Sequence, residues 1–75
     1  MTKQVRDEDA LLKIGAKLKV LRQATGKQQR EVLAETGIHI AAIEVGTYNI
    51  SVTTLERLCN YYGLTFEEFF DGLGL

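Results

Sequence analysis

A chain of 75 residues is long enough for one folded domain and too short for two. Charged residues make up 25% of it, hydrophobic residues 45%, and proline is absent, a composition typical of a helical globular protein rather than a disordered one. The single cysteine, Cys59, and the single histidine, His39, exclude an internal disulfide bond and a structural zinc site, which takes about four ligands. We therefore expect no metal and no cofactor.

Membrane, secreted and catalytic roles are also disfavoured. No apolar run approaches the roughly 20 residues that span a bilayer, and the first residues lack the apolar stretch of a signal peptide. The chain has no glycine-rich phosphate loop and no residue set that would make a catalytic site. We expect a cytoplasmic protein that is not an enzyme and has no membrane partner.

The charges are distributed unevenly along the chain, although the net charge is only −1. Residues 1–30 carry eight basic and three acidic side chains, a net charge of +5, whereas residues 31–75 carry one basic and seven acidic side chains, a net charge of −6. This asymmetry indicates one basic and one acidic face. Ordinary solvated helix surface explains the same pattern equally well.

The first predicted helix is amphipathic. Apolar residues recur at helical spacing from Leu11 to Leu21, with lysines off that stripe. Asp9 is the expected N-cap, and Gly26 is expected to end the helix because glycine readily takes the left-handed conformation found there.

Two short helices are predicted next. The second helix is expected at about residues 28–35, and Thr36 is expected to cap a third helix over residues 36–44. Ile40 and Ile43 would lie on the inward face of this third helix, and Gly46 would end it.

The last two predicted helices have clear start signals. Ser51 is expected to cap a fourth helix that ends at Gly63. The segment Thr65-Phe66-Glu67-Glu68 is a capping box that opens a short fifth helix. The sequence thus predicts a compact, five-helix, all-α fold in a single domain over residues 1–75, with an ordered core at about residues 8–71.

The central part of this pattern carries a recognisable order of residues. They are Ile14 to Leu21, Arg22, Gly26, Gln29, Glu31, Val32, Ile40, Ile43, Glu44, Gly46, Asn49, Ser51, Thr54, Leu55, Leu58, Gly63 and Thr65 to Phe70. Over residues 12–70 the chain resembles the Cro and lambda-repressor-like helix-turn-helix family. The resemblance implies a lambda-repressor-like DNA-binding domain.

In that family the third helix enters the major groove and the second lies across the DNA backbone. By position, the resemblance implies contacts to double-stranded DNA from Lys27, Gln28, Gln29, Arg30, Thr36, Gly37, Ile38, His39, Ala42, Thr47, Tyr48 and Asn49. Gln29 would contact a phosphate, helped by its basic neighbours. Arg22 and Glu44 match a structural ion pair that ties the first helix to the third.

The chain departs from the family pattern in two ways. Gln29 and Glu44 are about three residues closer than is usual, so we expect a shortened helix-turn-helix unit, with the second helix or the turn shortened. The third helix is also poor in hydrogen-bonding side chains, with His39 as its only long polar group. Ile38 or Ala42 could contact a thymine methyl group, and DNA shape could add specificity. We expect weaker or less specific binding than in a typical member.

The aromatic C-terminus predicts a homodimer. Three phenylalanines with Leu73 and Leu75 exceed what a short helix can bury, so Phe70 and Leu73 are expected at a dimer interface. The leading hypothesis is a small, sequence-specific transcriptional regulator, a homodimer on a partly palindromic operator. The alternative is a protein-interaction module of the antitoxin or antirepressor type, which would bind another protein through its acidic half and bind DNA weakly or not at all.

Overall fold

The structure, a computed structural model, describes residues 7–75. This part of the chain contains five helices. They are α1 (Glu8–Ala24), α2 (Gln29–Thr36), α3 (Ile40–Glu44), α4 (Val52–Tyr61) and α5 (Phe66–Phe70). No strand occurs within residues 7–75, and the predicted all-α fold is confirmed. The prediction that residues 1–6 precede the ordered core falls outside the described residues.

One fully or almost fully buried side chain from each helix meets in a common core. These are Leu18 from α1, Val32 from α2, Ile40 from α3, Leu58 from α4 and Phe69 from α5. Burial of an apolar side chain of this size stabilises a fold by about 1.5–3 kcal/mol. Each of the short helices is therefore held mainly by its packing, because helices this short are marginal on their own.

Local capping signals explain where the helices begin. Ser51 Oγ accepts a hydrogen bond from the Thr54 amide at the start of α4, as predicted. Thr65 and Glu68 form the predicted capping box at α5. The prediction for α1 was wrong, because Asp7 rather than Asp9 accepts the hydrogen bond of a first-turn amide. Asp9 is the second residue of α1.

Helices α1 and α3 cross with their backbones in close contact at Gly15. A Cβ atom added to Gly15 would lie 2.6 Å from the Glu44 carbonyl oxygen and even closer to that of Ile43. Real Cβ atoms do not approach other atoms so closely, so only glycine fits at this crossing. The position of α3 on the domain therefore depends on the absence of a side chain at residue 15.

Candidate nucleic-acid interface

A three-residue turn joins α2 to α3. Gly37 has φ +75° and ψ 8°, a left-handed conformation that suits glycine, and its amide donates a hydrogen bond to the Leu33 carbonyl. This glycine ends α2 and turns the chain toward α3. Ile38 and His39 complete the turn before α3 begins at Ile40.

The prediction that Thr36 caps the third helix was wrong. Thr36 is the last residue of α2, and its hydroxyl donates to the Val32 carbonyl at 2.7 Å. The same oxygen accepts a hydrogen bond from the Ile38 amide at 3.0 Å. Both hydrogen bonds of the hydroxyl stabilise the end of α2 and the turn. Thr36 therefore does not begin α3.

Helix α3 is shorter than predicted. Helix α2 has eight residues, whereas α3 has five in place of the longer helix predicted over residues 36–44. The expected shortening of the second helix or the turn relative to the family stays a prediction. At a rise of about 1.5 Å per residue, α3 is only about 7.5 Å long.

The side chains around α3 divide clearly into inner and outer ones. Ile40 and Ile43 are buried, as predicted, whereas His39 and Ala42 are exposed. Ile38 was expected to face DNA, but it is 8% exposed and packs in the core. Little of this side chain is therefore left at the surface to contact a base.

A bidentate ion pair ties α1 to α3. Arg22 Nε lies 2.7 Å from Glu44 Oε2, and Arg22 Nη2 lies 3.0 Å from Glu44 Oε1. Arg22 Nη1 also donates to the Lys27 carbonyl at 3.0 Å, which brings the start of α2 into the same network. The hydrogen bond to Glu44 raises the pKa of Arg22 above its ordinary value. The Glu44 side chain is only 2% exposed, so this pair lies inside the domain.

Gln29 extends this network to the exposed surface. Its Nε2 donates to Glu44 Oε1 at 3.0 Å, which fixes the orientation of the amide. An amide nitrogen carries two hydrogens, so one donor is left for a phosphate oxygen. The ion pair therefore orients the side chain that the family resemblance places against the DNA backbone.

The two basic side chains near the start of α2, Lys27 and Arg30, differ in their contacts and exposure. Lys27 Nζ lies 3.1 Å from Glu35 Oε1 and 5.7 Å from the centre of the Tyr61 ring. The hydrogen bond to Glu35 raises the pKa of Lys27, while hydrogen bonds from Tyr61 and then Lys27 lower the pKa of Glu35. Arg30 is exposed. Arg30 is thus the more accessible of the two cations, because Lys27 is paired with Glu35.

The structure brings only some of the predicted DNA contacts together. Gly37, Ile38, His39, Ala42 and Tyr48 line one groove, and Gln29, Arg30 and His39 line a neighbouring one. Thr47 is exposed and donates to the Ala42 carbonyl at 3.2 Å. Asn49 lies at a third groove, which is formed partly by α1. Gln28 is exposed, and its amide donates to Glu31 at the start of α2.

A family model described as helix-turn-helix matches residues 18–69. The chain belongs to the Cro/lambda-repressor-like helix-turn-helix family. Comparison with curated proteins and with solved structures gave no match.

Membership of the Cro/lambda-repressor-like family makes this a DNA-binding helix-turn-helix domain of the transcription-regulator class. Within residues 7–75, no helix is long and apolar enough to cross a membrane. In the same part of the chain, no three His, Cys, Asp or Glu side chains are grouped so that they could hold a metal ion.

Sequence reasoning missed two residues of this helix-turn-helix domain. Arg57 on α4 donates from Nη2 to the Thr36 carbonyl at 2.6 Å and lines the same groove as His39. Its isolation as the one basic residue of the acidic half was the available signal. Gly15 was missed because a glycine inside a helical pattern does not reveal which element it contacts.

The hydroxyl of Tyr62 predicts a loss of stability at alkaline pH. Burial, and then the charge of Glu44, raise the pKa of Tyr62 to about 12, from an ordinary value of 10.0. The unfolded chain therefore loses this proton first, and we expect the free energy of unfolding to fall as pH rises from about 10 to about 12.

The Tyr62→Phe variant provides the matched control. The Tyr62 hydroxyl is buried without a hydrogen-bond partner in the described residues, so its removal is expected to leave stability near pH 7 almost unchanged. Urea unfolding from pH 8 to 12 should show a shallower decline for the variant than for the original chain. Identical declines would contradict the assignment to Tyr62.

Proposed function

We propose that the domain binds double-stranded DNA sequence-specifically as a small transcriptional regulator, with α3 at the major groove and α2 across the backbone. One observation carries this proposal. The Arg22–Glu44 pair joins α1 to α3, and Gln29 of α2 donates to Glu44, while His39 and Ala42 remain exposed. The helices are therefore fixed relative to one another, and exposed side chains remain available to contact bases, as binding in a DNA groove requires.

The chemistry of α3 suggests how bases are read. Ala41 and Ala42 are exposed, and Val45 is 61% exposed. Apolar side chains of this kind contact the methyl group of thymine, and only His39 adds a ring nitrogen for hydrogen bonding. Base discrimination is therefore limited, and a large share of the affinity comes from phosphate contacts.

A homodimer would let two such short α3 helices act on one site. Phe70 is half-buried and lines an apolar groove of about 340 Å³ with Leu11 and Leu55, and Leu73 is also half-buried. Burial of these remaining surfaces between two copies would allow a two-fold arrangement on a partly palindromic operator. Sedimentation equilibrium over a range of protein concentrations tests the dimer independently of DNA.

Selection from a random-sequence duplex pool tests the proposed function directly. We expect a gel shift at low salt, with retained duplexes enriched in a partly palindromic, thymine-containing site. Binding without enrichment would mean that the protein contacts the backbone and DNA shape only. Absence of binding at low salt would contradict DNA binding by the free protein.

Substitution of Arg30 should change the salt dependence of this binding. Removal of one phosphate contact lowers the slope of log K against log salt concentration by about 0.9. We expect this change for Arg30→Gln and a smaller one for Lys27→Gln, because Lys27 is already paired with Glu35. Lys13→Gln is the matched control, since Lys13 contacts Asp9 and the Gly74 carbonyl instead. Equal slopes for the Arg30 variant and the original chain would show that Arg30 does not contact a phosphate.

A protein-interaction function is the second candidate. It is favoured by the exposure of Leu12 at 56% and of Val45 at 61%, both large apolar side chains. Because a Cβ atom at Gly46, next to Val45, would lie 2.9 Å from Leu12 Cδ2, the two regions are close together. Failure to bind any duplex at low salt would make this surface the place to look for a protein partner.

A further inference from the structure

A groove of about 380 Å³ lies between the turn before α3, the loop after it and α4. We call it the α3–α4 groove and define it by His39, Ala42, Tyr48, Thr54 and Arg57. Four of these residues, His39, Ala42, Tyr48 and Arg57, are exposed. Among the described residues no carboxylate lines the groove, although the second half of the chain is strongly acidic. Apolar side chains, Ile38 and Ile43, also line the groove, and Arg57, its one charged side chain within residues 7–75, favours an anion.

Arg57 is held in place across one end of the α3–α4 groove. Its Nη2 donates to the Thr36 carbonyl at 2.6 Å, which connects α4 to the last residue of α2. A guanidinium has five N–H donors in a fixed planar fork, and no other hydrogen bond of Arg57 is formed in the described part of the chain. The remaining donors are therefore oriented in advance for a ligand such as phosphate, which arginine binds with two parallel hydrogen bonds.

Two further donors line the same groove. Tyr48 is 54% exposed and carries a phenolic hydroxyl, and the His39 side chain makes no capping hydrogen bond to α3. A neutral imidazole and a phenol each supply one N–H or O–H donor. Arg57, Tyr48 and His39 thus supply three kinds of donor to one groove.

We propose that the α3–α4 groove binds a phosphate group, and that in the DNA complex it holds a backbone phosphodiester through Arg57. This inference rests on the proposed function for its DNA part. Helix α3 has only five residues, so few side chains reach bases, and contacts to phosphate must fix the register of the domain on the duplex. Arg57 supplies such a contact directly beside the start of α3.

The Arg57→Gln variant tests the proposed contact between Arg57 and the DNA backbone. Glutamine removes the charge but keeps a polar side chain, and the hydrogen bond that is lost lies at an exposed position, so the domain is expected to stay folded. We expect the slope of log K against log salt concentration to fall by about 1, with equal weakening for all duplex sequences. Arg57→Lys should restore most of the slope, and Lys13→Gln should leave it unchanged. Thermal unfolding of each variant checks the fold.

A titration with inorganic phosphate separates the two possible sources of the phosphate group. Without DNA, saturable NMR shifts of His39 and Tyr48 in the original chain that vanish in Arg57→Gln would support a site open to free phosphate compounds. An unchanged salt slope in Arg57→Gln would overturn the assignment to the DNA backbone. If phosphate shifts are absent as well, the site itself is overturned. Failure of the original chain to bind any duplex would instead overturn the proposed function, while the phosphate titration still decides the groove.

Discussion

Replacement of Arg22 by methionine is expected to lower the free energy of unfolding by about 3–5 kcal/mol. The substitution leaves the Glu44 carboxylate, whose side chain is 2% exposed, without its cationic partner. Among residues 7–75, only the amide of Gln29 would still donate to it. In a domain of this size such a loss corresponds to a fall in Tm of about 12 °C or more, which thermal unfolding followed by circular dichroism would measure.

A double variant distinguishes the buried charge from the lost packing. In Arg22→Met with Glu44→Leu no uncompensated charge remains inside the domain, so the double variant is expected to be more stable than the single one. Arg30→Met, at an exposed position on α2, should change stability by no more than about 0.5 kcal/mol. A double variant as unstable as Arg22→Met would show that shape, rather than charge, dominates at this site.

The Gly15→Ala substitution is expected to destabilise the domain by about 2 kcal/mol, although alanine is the better helix former. Alanine gains about 1 kcal/mol in helix propensity. That gain is outweighed because the new methyl group would lie 2.6 Å from the Glu44 carbonyl oxygen and closer still to that of Ile43. Overpacking against atoms that cannot rotate away costs about 1–3 kcal/mol or more. Urea unfolding would measure the difference.

Position, rather than residue type, decides this result. Gln23→Ala changes an exposed residue of the same helix and is expected to alter stability by no more than about 0.5 kcal/mol. Since α3 must shift to admit the methyl group, Gly15→Ala should also weaken any DNA binding at temperatures where the variant is still folded. A variant as stable as the original chain would mean that α1 and α3 are free to separate.

The number and order of the helices were predictable because the signals for them are local. Ser51 and Thr65 each precede a helix and cap it through a side-chain oxygen, as their sequence context indicates. Ile40 and Ile43 were predictable core residues, since helical spacing alone places them on one face. The Arg22–Glu44 contact follows from family resemblance and not from any pattern within the sequence.

The errors occurred where one local signal has two physical meanings. A threonine can cap the start of a helix or bond back to a carbonyl at its end, and Thr36 does the latter. The glycine after it, Gly37, was the better indicator of a helix end. Misplacing this boundary also put Ile38 on the wrong side of α3.

Long-range contacts were beyond the reach of the sequence. The contact between Gly15 and the carbonyls of α3 joins residues far apart in the chain, as does the hydrogen bond from Arg57 to Thr36. A periodic pattern shows which face of a helix is apolar, but it does not show which neighbour that face meets. The α3–α4 groove could therefore be recognised only in three dimensions.

The outer positions of α3 contribute little to holding the domain together. Its place is fixed from behind by Gly15, by the Arg22–Glu44 pair and by Ile40, whereas Ala41 and Ala42 face outward with only a methyl group each. Those two positions can accept arginine, asparagine or glutamine at little cost in stability. A preference for a chosen DNA base could therefore be introduced by substitution at these two positions, with the rest of the domain unchanged.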